Sequence, residues 1–541
     1  MPKMRRVLIR AGILVTVSSP AALAAAVQYD KADTDKFQTC ADFTKTINIA
    51  NSTTTSAEFV PAGTTINFLD ADRTCNRPSQ LVTMPLCRVQ ANISTSAGSG
   101  LHLEAWLPQN WTGRFLSTGN GGLGGCVQFE DVEWAASLGF AAVGANNGHD
   151  GMSGAVFLDK PDVVEDFAYR AMVTGVRAGK AVARDFYGRP HTKSYYLGCS
   201  TGGRQGMKMV QDFPDPFDGV SAGAPAFNFN NLNTWSGRFL YLTGTNTRDT
   251  FDILEKCDAL DGSADGVLEA PDLCRYTADD LLCGGARNAT APRCLTASQV
   301  GTVNAVFSEM RSADGASLYP RMQPGSGAAA FDTYYTGLPS PYLDWLRYVV
   351  MADPSFDLYA FAPELWAESD QLNPFDIRSF KGDISAFRDR GGKLLHYHGL
   401  MDNVISSNIS PRYYDEVSRA LGGGGDGGAS PDQLDGFYRL FRISGLGHCR
   451  SGPGAHFIGN NRAQLSADPG AVHDSVLMRL VRWVEDGEAP DVIRGAGTAD
   501  GRAGPTTFAR DHCRWPLMNR FQGGDASSPD SWKCVSYNAT T

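Results

Sequence analysis

The stretch "YYLGCSTGGRQG", residues 195–206, decides how the rest of the chain is read. It holds Gly198, Ser200 and Gly202 in the order G-x-S-x-G, which carries meaning only between a strand and a helix. "KSYYLG" (193–198) has the apolar, aromatic character of a strand, and "RQGMKMVQDF" (204–213) has helical spacing and stops at Pro214. Such a turn lifts a serine hydroxyl to the edge of a sheet, with a helix N-terminus behind it that favours negative charge. A second match, Ser221 in "GVSAG", lies inside an apolar strand and is followed by Ala224-Pro225 with no helix pattern. Ser221 is therefore read as structural and Ser200 as a nucleophile.

Outward from this turn, strands and helices alternate. "LHLEAWLP" (101–108), "RFLST" (114–118), "GFAAVGA" (139–145) and "DGVSAGA" (218–224) read as strands. Residues 164–187 have helical spacing and stop at Gly188 and Pro190. The rhythm fails between about 228 and 385, a region with four cysteines, many aromatics and Gly/Pro turns. It resumes with "ISAFRDRG", "KLLHYHG" (393–399), "DGFYRLFRISG" (435–445) and an amphipathic helix in "SVLMRLVRWVEDG" (475–487). The expectation is an α/β fold with a mostly parallel sheet: an α/β-hydrolase core of residues 25–227 and 386–541, interrupted by an inserted lid domain at 228–385. A chain of 541 residues is too long for one ordinary core, in keeping with that division. "GGGGDGG" (422–428) reads as a flexible loop, and there are no internal repeats.

A serine hydroxyl needs a base, and in this fold the order is serine, acid, histidine. Of nine histidines, His448 sits in the glycine-bounded loop "SGLGHC", just after the strand "YRLFRI". His396 and His398 lie on a strand and read as satisfied structural residues, although "HYH" could in principle bind metal. The acid belongs on the loop after the preceding strand, where "KLLHYHGLMDNVIS" places Asp402. Asp415 and Glu416 are the runners-up, but they lie on the expected helix "PRYYDEVSRAL", pointing away. One oxyanion donor is the amide of the residue after the nucleophile, Thr201.

Cys199 precedes the serine and Cys449 follows the histidine. If serine and histidine meet, these Cα atoms come within the ~4.4–6.8 Å that a disulfide requires. The bridge Cys199–Cys449 is therefore expected to clamp the two loops. The twelve cysteines are even in number and contain no CxxC pair, so six bridges are expected in an oxidising compartment.

Lys3, Arg5, Arg6 and Arg10, the apolar run "AGILVTV" (11–17) and "AALAAA" (21–26) read as a secretory signal peptide, residues 1–24, with cleavage after Ala24 or Ala26. The sequons at Asn51, Asn92, Asn110, Asn288, Asn408 and Asn538 fit a secreted glycoprotein. A net charge of −10 gives no support for nucleic-acid binding, and no later stretch resembles a transmembrane helix.

"GCSTGGRQG", "HGLMDNVISS" and "GLGHC" together resemble the tannase and feruloyl esterase family, in which an adjacent Cys-Ser, an Asp and an adjacent His-Cys form the site. The likeness is closest to the fungal type-B feruloyl esterases through "NRPSQLVTMPLCRVQ", "LHLEAWLPQNWTGRFLSTGNGGLGGC" and "FYRLFRISGLGHC", and it spans essentially the whole mature chain. The resemblance implies a secreted serine carboxylesterase acting on hydroxycinnamate (feruloyl, p-coumaroyl, caffeoyl) esters of plant cell-wall polysaccharides. A tannase cleaving galloyl esters, or another aromatic-acid esterase, is the nearest alternative; a wall-binding glycoprotein without activity is the alternative from another class. The family implies Gly122 as the second oxyanion donor, within "STGNGGLGGC" (117–126), with Gly121 as its alternative. It implies the bridges Cys40–Cys87, Cys75–Cys126, Cys257–Cys274, Cys283–Cys294 and Cys513–Cys534. It also implies structural Ca²⁺ in the lid: Asp258, Asp261 and Asp265 are hard oxygen donors at close spacing, and backbone oxygens of Ser263 and Val267 complete the set by resemblance. Some members are dimers, so a homodimer is admitted.

Overall fold

Six short apolar segments lie side by side as parallel strands in a computed structural model, which describes residues 40–43, 45–243, 256–284, 294–334, 336–422, 427–468, 470–499, 501–502 and 504–537. The expected signal segment 1–24, the first part of the expected catalytic domain (25–39) and the sequons Asn288 and Asn538 lie outside the described residues.

The nine-stranded sheet comprises β1 (Ser52–Val60), β2 (Leu86–Ser94), β3 (Gly100–Pro108), β4 (Arg114–Thr118), β5 (Phe140–Ala145), β6 (Lys193–Cys199), β7 (Gly219–Gly223), β8 (Lys393–Gly399) and β9 (Tyr438–Ile443). Their spatial order is β1-β2-β3-β5-β4-β6-β7-β8-β9. β1, β2 and β3 are antiparallel to their neighbours. Strands are expected from residue 100 onward, and β1 and β2 are additional to them. β1 reads "STTTSAEFV" and is largely exposed, so it lacks the apolar alternation that marks a half-buried strand.

Successive side chains point to opposite faces of a strand, and both faces here are covered. Tyr196, Val220, Ala222, Leu394 and Leu440 join one apolar cluster, while Tyr195, Leu197, Leu395, Tyr397 and Phe441 join the other. On the second side lie helices α1 (Phe129–Ser137) and α6 (Val476–Glu485); on the first lie α2 (Ala171–Tyr187) and α3 (Thr201–Asp212). α6 offers Leu477, Leu480 and Val481 on one stripe, each burial contributing about 1.5–3 kcal/mol. The helix expected over 164–187 is interrupted: a π turn at Asp166–Arg170 precedes α2, and Gly188 closes it at φ +69°. The buried Arg204 of α3 donates to the Phe167 and Ala168 carbonyls of that turn, both at 2.9 Å. Burial of its charge outweighs the opposing influence of Tyr196 and pushes the Arg204 pKa down to about 10.

Among the described residues between β7 and β8, none adds a strand to the large sheet. This segment starts with α4 (Phe229–Thr243). Its Phe229, Trp235, Tyr319, Trp345 and Phe361 share the apolar cluster of α2 and α3, so the insertion packs onto the first face of the sheet. Past α6 the chain ends in two antiparallel ribbons, Val492–Gly497 with Phe508–Cys513 and Leu517–Phe521 with Trp532–Ser536. Among the described residues, no helix is long and apolar enough to cross a membrane.

Candidate active site

The end of β6 passes directly into α3, and Ser200 occupies the corner at φ 65°, ψ −123°. A non-glycine residue there is strained by about 1–3 kcal/mol. The flanking glycines allow the corner: a Cβ on Gly198 would lie 2.6 Å from the Gly202 carbonyl oxygen, and one on Gly202 would lie 2.9 Å from that of Asn120. The Ser200 backbone is held on both sides, its N–H donating to Gly223 O at 2.9 Å and its carbonyl accepting from Ala226 N at 3.1 Å.

Ser200 Oγ lies 2.9 Å from His448 Nε2, and His448 Nδ1 lies 2.8 Å from Asp402 Oδ2. His448 stands on the loop after β9 and Asp402 on the loop after β8, so adjacent parallel strands deliver all three groups to one edge. Asp402 is fully buried. Its Oδ1 accepts from the amides of Val404 (2.8 Å) and Ile405 (2.9 Å), and its Oδ2 accepts from His398 Nε2 at 3.1 Å as well as from His448. Burial alone would raise the Asp402 pKa; the charge of His448 and the hydrogen bonds from both histidines outweigh it and hold the carboxyl below the usual carboxylate range. The carboxylate accepts only, so His448 Nδ1 carries a proton and Nε2 is free to take one from Ser200.

Cys199 and Cys449 are bridged, with Cα atoms 6.0 Å apart. The other five pairs are Cys40–Cys87, Cys75–Cys126, Cys257–Cys274, Cys283–Cys294 and Cys513–Cys534. Gly122, at φ +59°, faces the serine, and its carbonyl accepts from Thr201 Oγ1 at 2.6 Å. The N–H groups of Gly122 and Thr201 have no acceptor among the described residues. Gly121 instead closes a turn, its carbonyl accepting from Gly124 N. Ser221 lies within β7 with its Oγ buried and unpartnered among the described residues. Asp415 is exposed on α5 (Ile409–Leu421), and Glu416 pairs there with Arg419.

A narrow cavity of about 30 Å³ opens on Ser200. Leu123, Phe229, Leu232, Val404 and Ile405 give it apolar walls, Asn233 and Ser236 add polar groups, and Tyr342 closes it from the insertion. A larger cavity of about 890 Å³, beside β2 and β3, touches none of the triad. Size is a poorer guide than chemistry here, because the small cavity holds a serine hydroxyl hydrogen-bonded to an imidazole and the large one does not.

Three supports of the site have little or no signature in the sequence. His398, expected to be a satisfied structural residue on its strand, bonds Asp402. Gln205 of α3 accepts from Asn120 N at 2.9 Å and so ties the glycine-rich loop to the serine's helix. Tyr342 comes from the insertion, whose spacing gives no clue to what it faces. Only His398 left a signal: it shares a strand face with His396 and lies four residues before Asp402.

Asp258, Asp261 and Asp265 lie in one loop closed by Cys257–Cys274. Asp258 accepts from Gly266 N, Asp261 from Ser263 N and Glu269 N, and Asp265 from Val267 N and Arg510. Among the described residues, no group of three or more His, Cys, Asp or Glu side chains converges as metal ligands. The donor chemistry nevertheless suits a hard cation. Asp261 is buried and has no ion pair among the described residues, and burial, with Asp265 and Asp258 nearby, pushes its pKa up to about 6.

A mainly parallel sheet that carries a strained serine at one strand end, and its histidine and acid after neighbouring strands, defines an α/β-hydrolase. The chain belongs to the tannase and feruloyl esterase family, whose model matches residues 87–535, and it is a carboxylic ester hydrolase. It is 45% identical to a probable feruloyl esterase B-1 of Aspergillus oryzae, across 92% of this chain and 93% of that one. It is 46% identical to feruloyl esterase C of Talaromyces stipitatus, across 92% and 94%. The crystal structure of feruloyl esterase B from Aspergillus oryzae superposes with a TM-score of 0.87 at 45% identity, covering 92% of this chain and all of the other.

Proposed function

We propose that this protein is a secreted serine carboxylesterase that releases hydroxycinnamic acids from plant cell-wall polysaccharides, with Ser200, His448 and Asp402 as its catalytic triad. The observation that carries the reading is the continuous hydrogen-bonded line from Ser200 Oγ through His448 to Asp402, at the mouth of a cavity with apolar walls and a few polar groups. A hydroxycinnamoyl group has that character: an apolar arm and ring with a phenolic hydroxyl. The feruloyl esterases among its relatives support the same substrate class.

His448 Nε2 takes the Ser200 proton as Oγ attacks the ester carbonyl carbon. The amides of Gly122 and Thr201 hold the resulting oxyanion. His448 then protonates the leaving alkoxy oxygen, and the C–O bond breaks to leave an acyl-serine. Water gives a proton to His448 and attacks the acyl carbon; the proton returns to Ser200 as the acid departs. Asp402 keeps its charge throughout and stabilises the imidazolium.

Residues 228–385 act as a lid over the residues 25–227 and 386–541. Tyr342, which reaches the cavity from the insertion, borders the space that the acyl group would occupy. Asp258, Asp261 and Asp265, with backbone oxygens of Ser263 and Val267, hold Ca²⁺ that fixes this lid loop. Asn51, Asn92 and Asn110 are exposed and open to glycosylation, whereas Asn408 Nδ2 donates to Asp272 at 2.9 Å within the fold.

Hydrolysis of methyl ferulate measured against methyl gallate tests the substrate, with Ser200→Ala as control. Preference for ferulate and a loss of about 10⁴-fold or more in the variant are expected. Preference for gallate makes the protein a tannase. Hydrolysis of neither ester, or full activity without Ser200, removes the reading.

A further inference from the structure

We propose that His398 is a positioning residue for the triad, the last donor in a one-way chain of buried hydrogen bonds that starts at Tyr438 and ends on Asp402. The proposal rests on the triad reading above. Tyr438 Oη lies 3.0 Å from His396 Nδ1. His396 Nε2 lies 2.9 Å from Ser410 Oγ, and Ser410 Oγ lies 2.6 Å from His398 Nδ1. His398 Nε2 lies 3.1 Å from Asp402 Oδ2, with Ile405 O as a longer second acceptor at 3.3 Å. All five groups are fully buried and come from two neighbouring strands, the helix Ile409–Leu421 and the acid's own loop.

Valency sets the direction. The Asp402 carboxylate accepts only, so His398 donates through Nε2. In the neutral ring Nδ1 is then an acceptor and takes the single Ser410 proton. Ser410 Oγ in turn accepts from His396 Nε2–H, and His396 Nδ1 accepts the Tyr438 hydroxyl proton. Every N–H and O–H in the chain then has an acceptor. The reverse order needs a second proton on His398. It also leaves the Tyr438 proton with no acceptor among the described residues, which is costly in a buried site.

The chain ends on the same oxygen that accepts from His448 Nδ1. Two imidazoles thus share Oδ2 while two amides hold Oδ1, and the carboxylate cannot rotate away from the base. His398 supports the negative charge without adding a cation to the pocket. By donating to Oδ2 it also lowers that oxygen's pull on the His448 proton, which keeps the proton on the ring when the imidazolium forms.

The test compares His398→Leu and His398→Gln in the full-length protein, with kcat and KM for methyl ferulate and a thermal unfolding check. Histidine-selective ¹⁵N NMR on the unaltered protein reports the tautomers independently of activity. Leucine should lower kcat by about 10- to 100-fold with KM little changed, the loss expected for one hydrogen bond to a charged group. Glutamine, which can place an N–H near Nε2, should recover most of that loss, and His396 and His398 should both be Nε2–H tautomers. A folded leucine variant with unaltered kcat, a folded glutamine variant as impaired as leucine, or an Nδ1–H tautomer at His398 overturns the proposal. If the leucine variant does not fold, the tautomers and the glutamine variant still decide. Failure of the triad reading itself would show separately, as activity surviving in Ser200→Ala.

Discussion

Cys199 and Cys449 are bonded with their Cα atoms 6.0 Å apart, and each is the chain neighbour of one partner in the 2.9 Å contact between Ser200 Oγ and His448 Nε2. The bridge spans 250 residues of sequence, for which the chain-entropy model gives roughly 5 kcal/mol as an upper figure. Its more direct consequence is local, because it fixes the separation of the loops that carry Ser200 and His448. Replacing both half-cystines (C199A with C449A) should lower kcat by up to about 100-fold, as expected for a displacement near 1 Å, and should lower the unfolding temperature. Kinetics on protein whose lost bridge is verified by peptide mapping check this; unchanged kcat would remove the clamp.

Asp402 gives a signed pH dependence. Its folded pKa lies below its ordinary value of 3.8, so its contribution to stability is fully present above 3.8 and is lost as pH falls below that toward the folded value. Asp402→Asn should therefore flatten the acid limb of a plot of urea midpoint against pH. The same variant should lower kcat by about 10⁴-fold, because the amide no longer selects the productive tautomer of His448.

Gly122 should not tolerate a side chain. A Cβ there would lie 2.9 Å from Met152 Cε and 3.2 Å from Tyr342 Cε1, at a φ of +59° that disfavours alanine. The strain is relieved by moving the loop, and with it the proposed oxyanion donor. Gly122→Ala should cost about 10²-fold in kcat with the fold intact, read by kinetics alongside circular dichroism.

Chelation should act on stability rather than on chemistry. Calcium held by the 258–267 loop would stabilise the folded state by about 2.7 kcal/mol when free calcium is a hundred times Kd. Removing it should lower the unfolding temperature reversibly, with kcat per folded molecule unchanged. Asp261→Asn should abolish the calcium effect. An unfolding curve insensitive to both chelator and calcium would show that the loop binds none.

The strands from 100 onward were legible because apolar side chains that must leave water repeat with a strand's period, as in "RFLST" and "KLLHYHG". β1 was not, since an edge strand exposed to water can be built of serine and threonine. The serine corner was legible because close backbone packing demands Gly198 and Gly202 around it. The partners Asp402 and His448 were legible by their place after particular strands.

The α/β alternation, the serine on its corner, and the cysteines beside that corner and beside the histidine are readable from the chain alone. Those features follow from local periodicity, local backbone geometry and covalent reach, which are all written in short stretches of chain. That His398 faces Asp402, that Gln205 secures the glycine-rich loop, and that Tyr342 reaches across from the insertion to close the cavity emerges only once the chain is folded. Each of those contacts joins side chains through space. Strand order and the return path of the insertion set what stands opposite what, and no spacing along the chain encodes that.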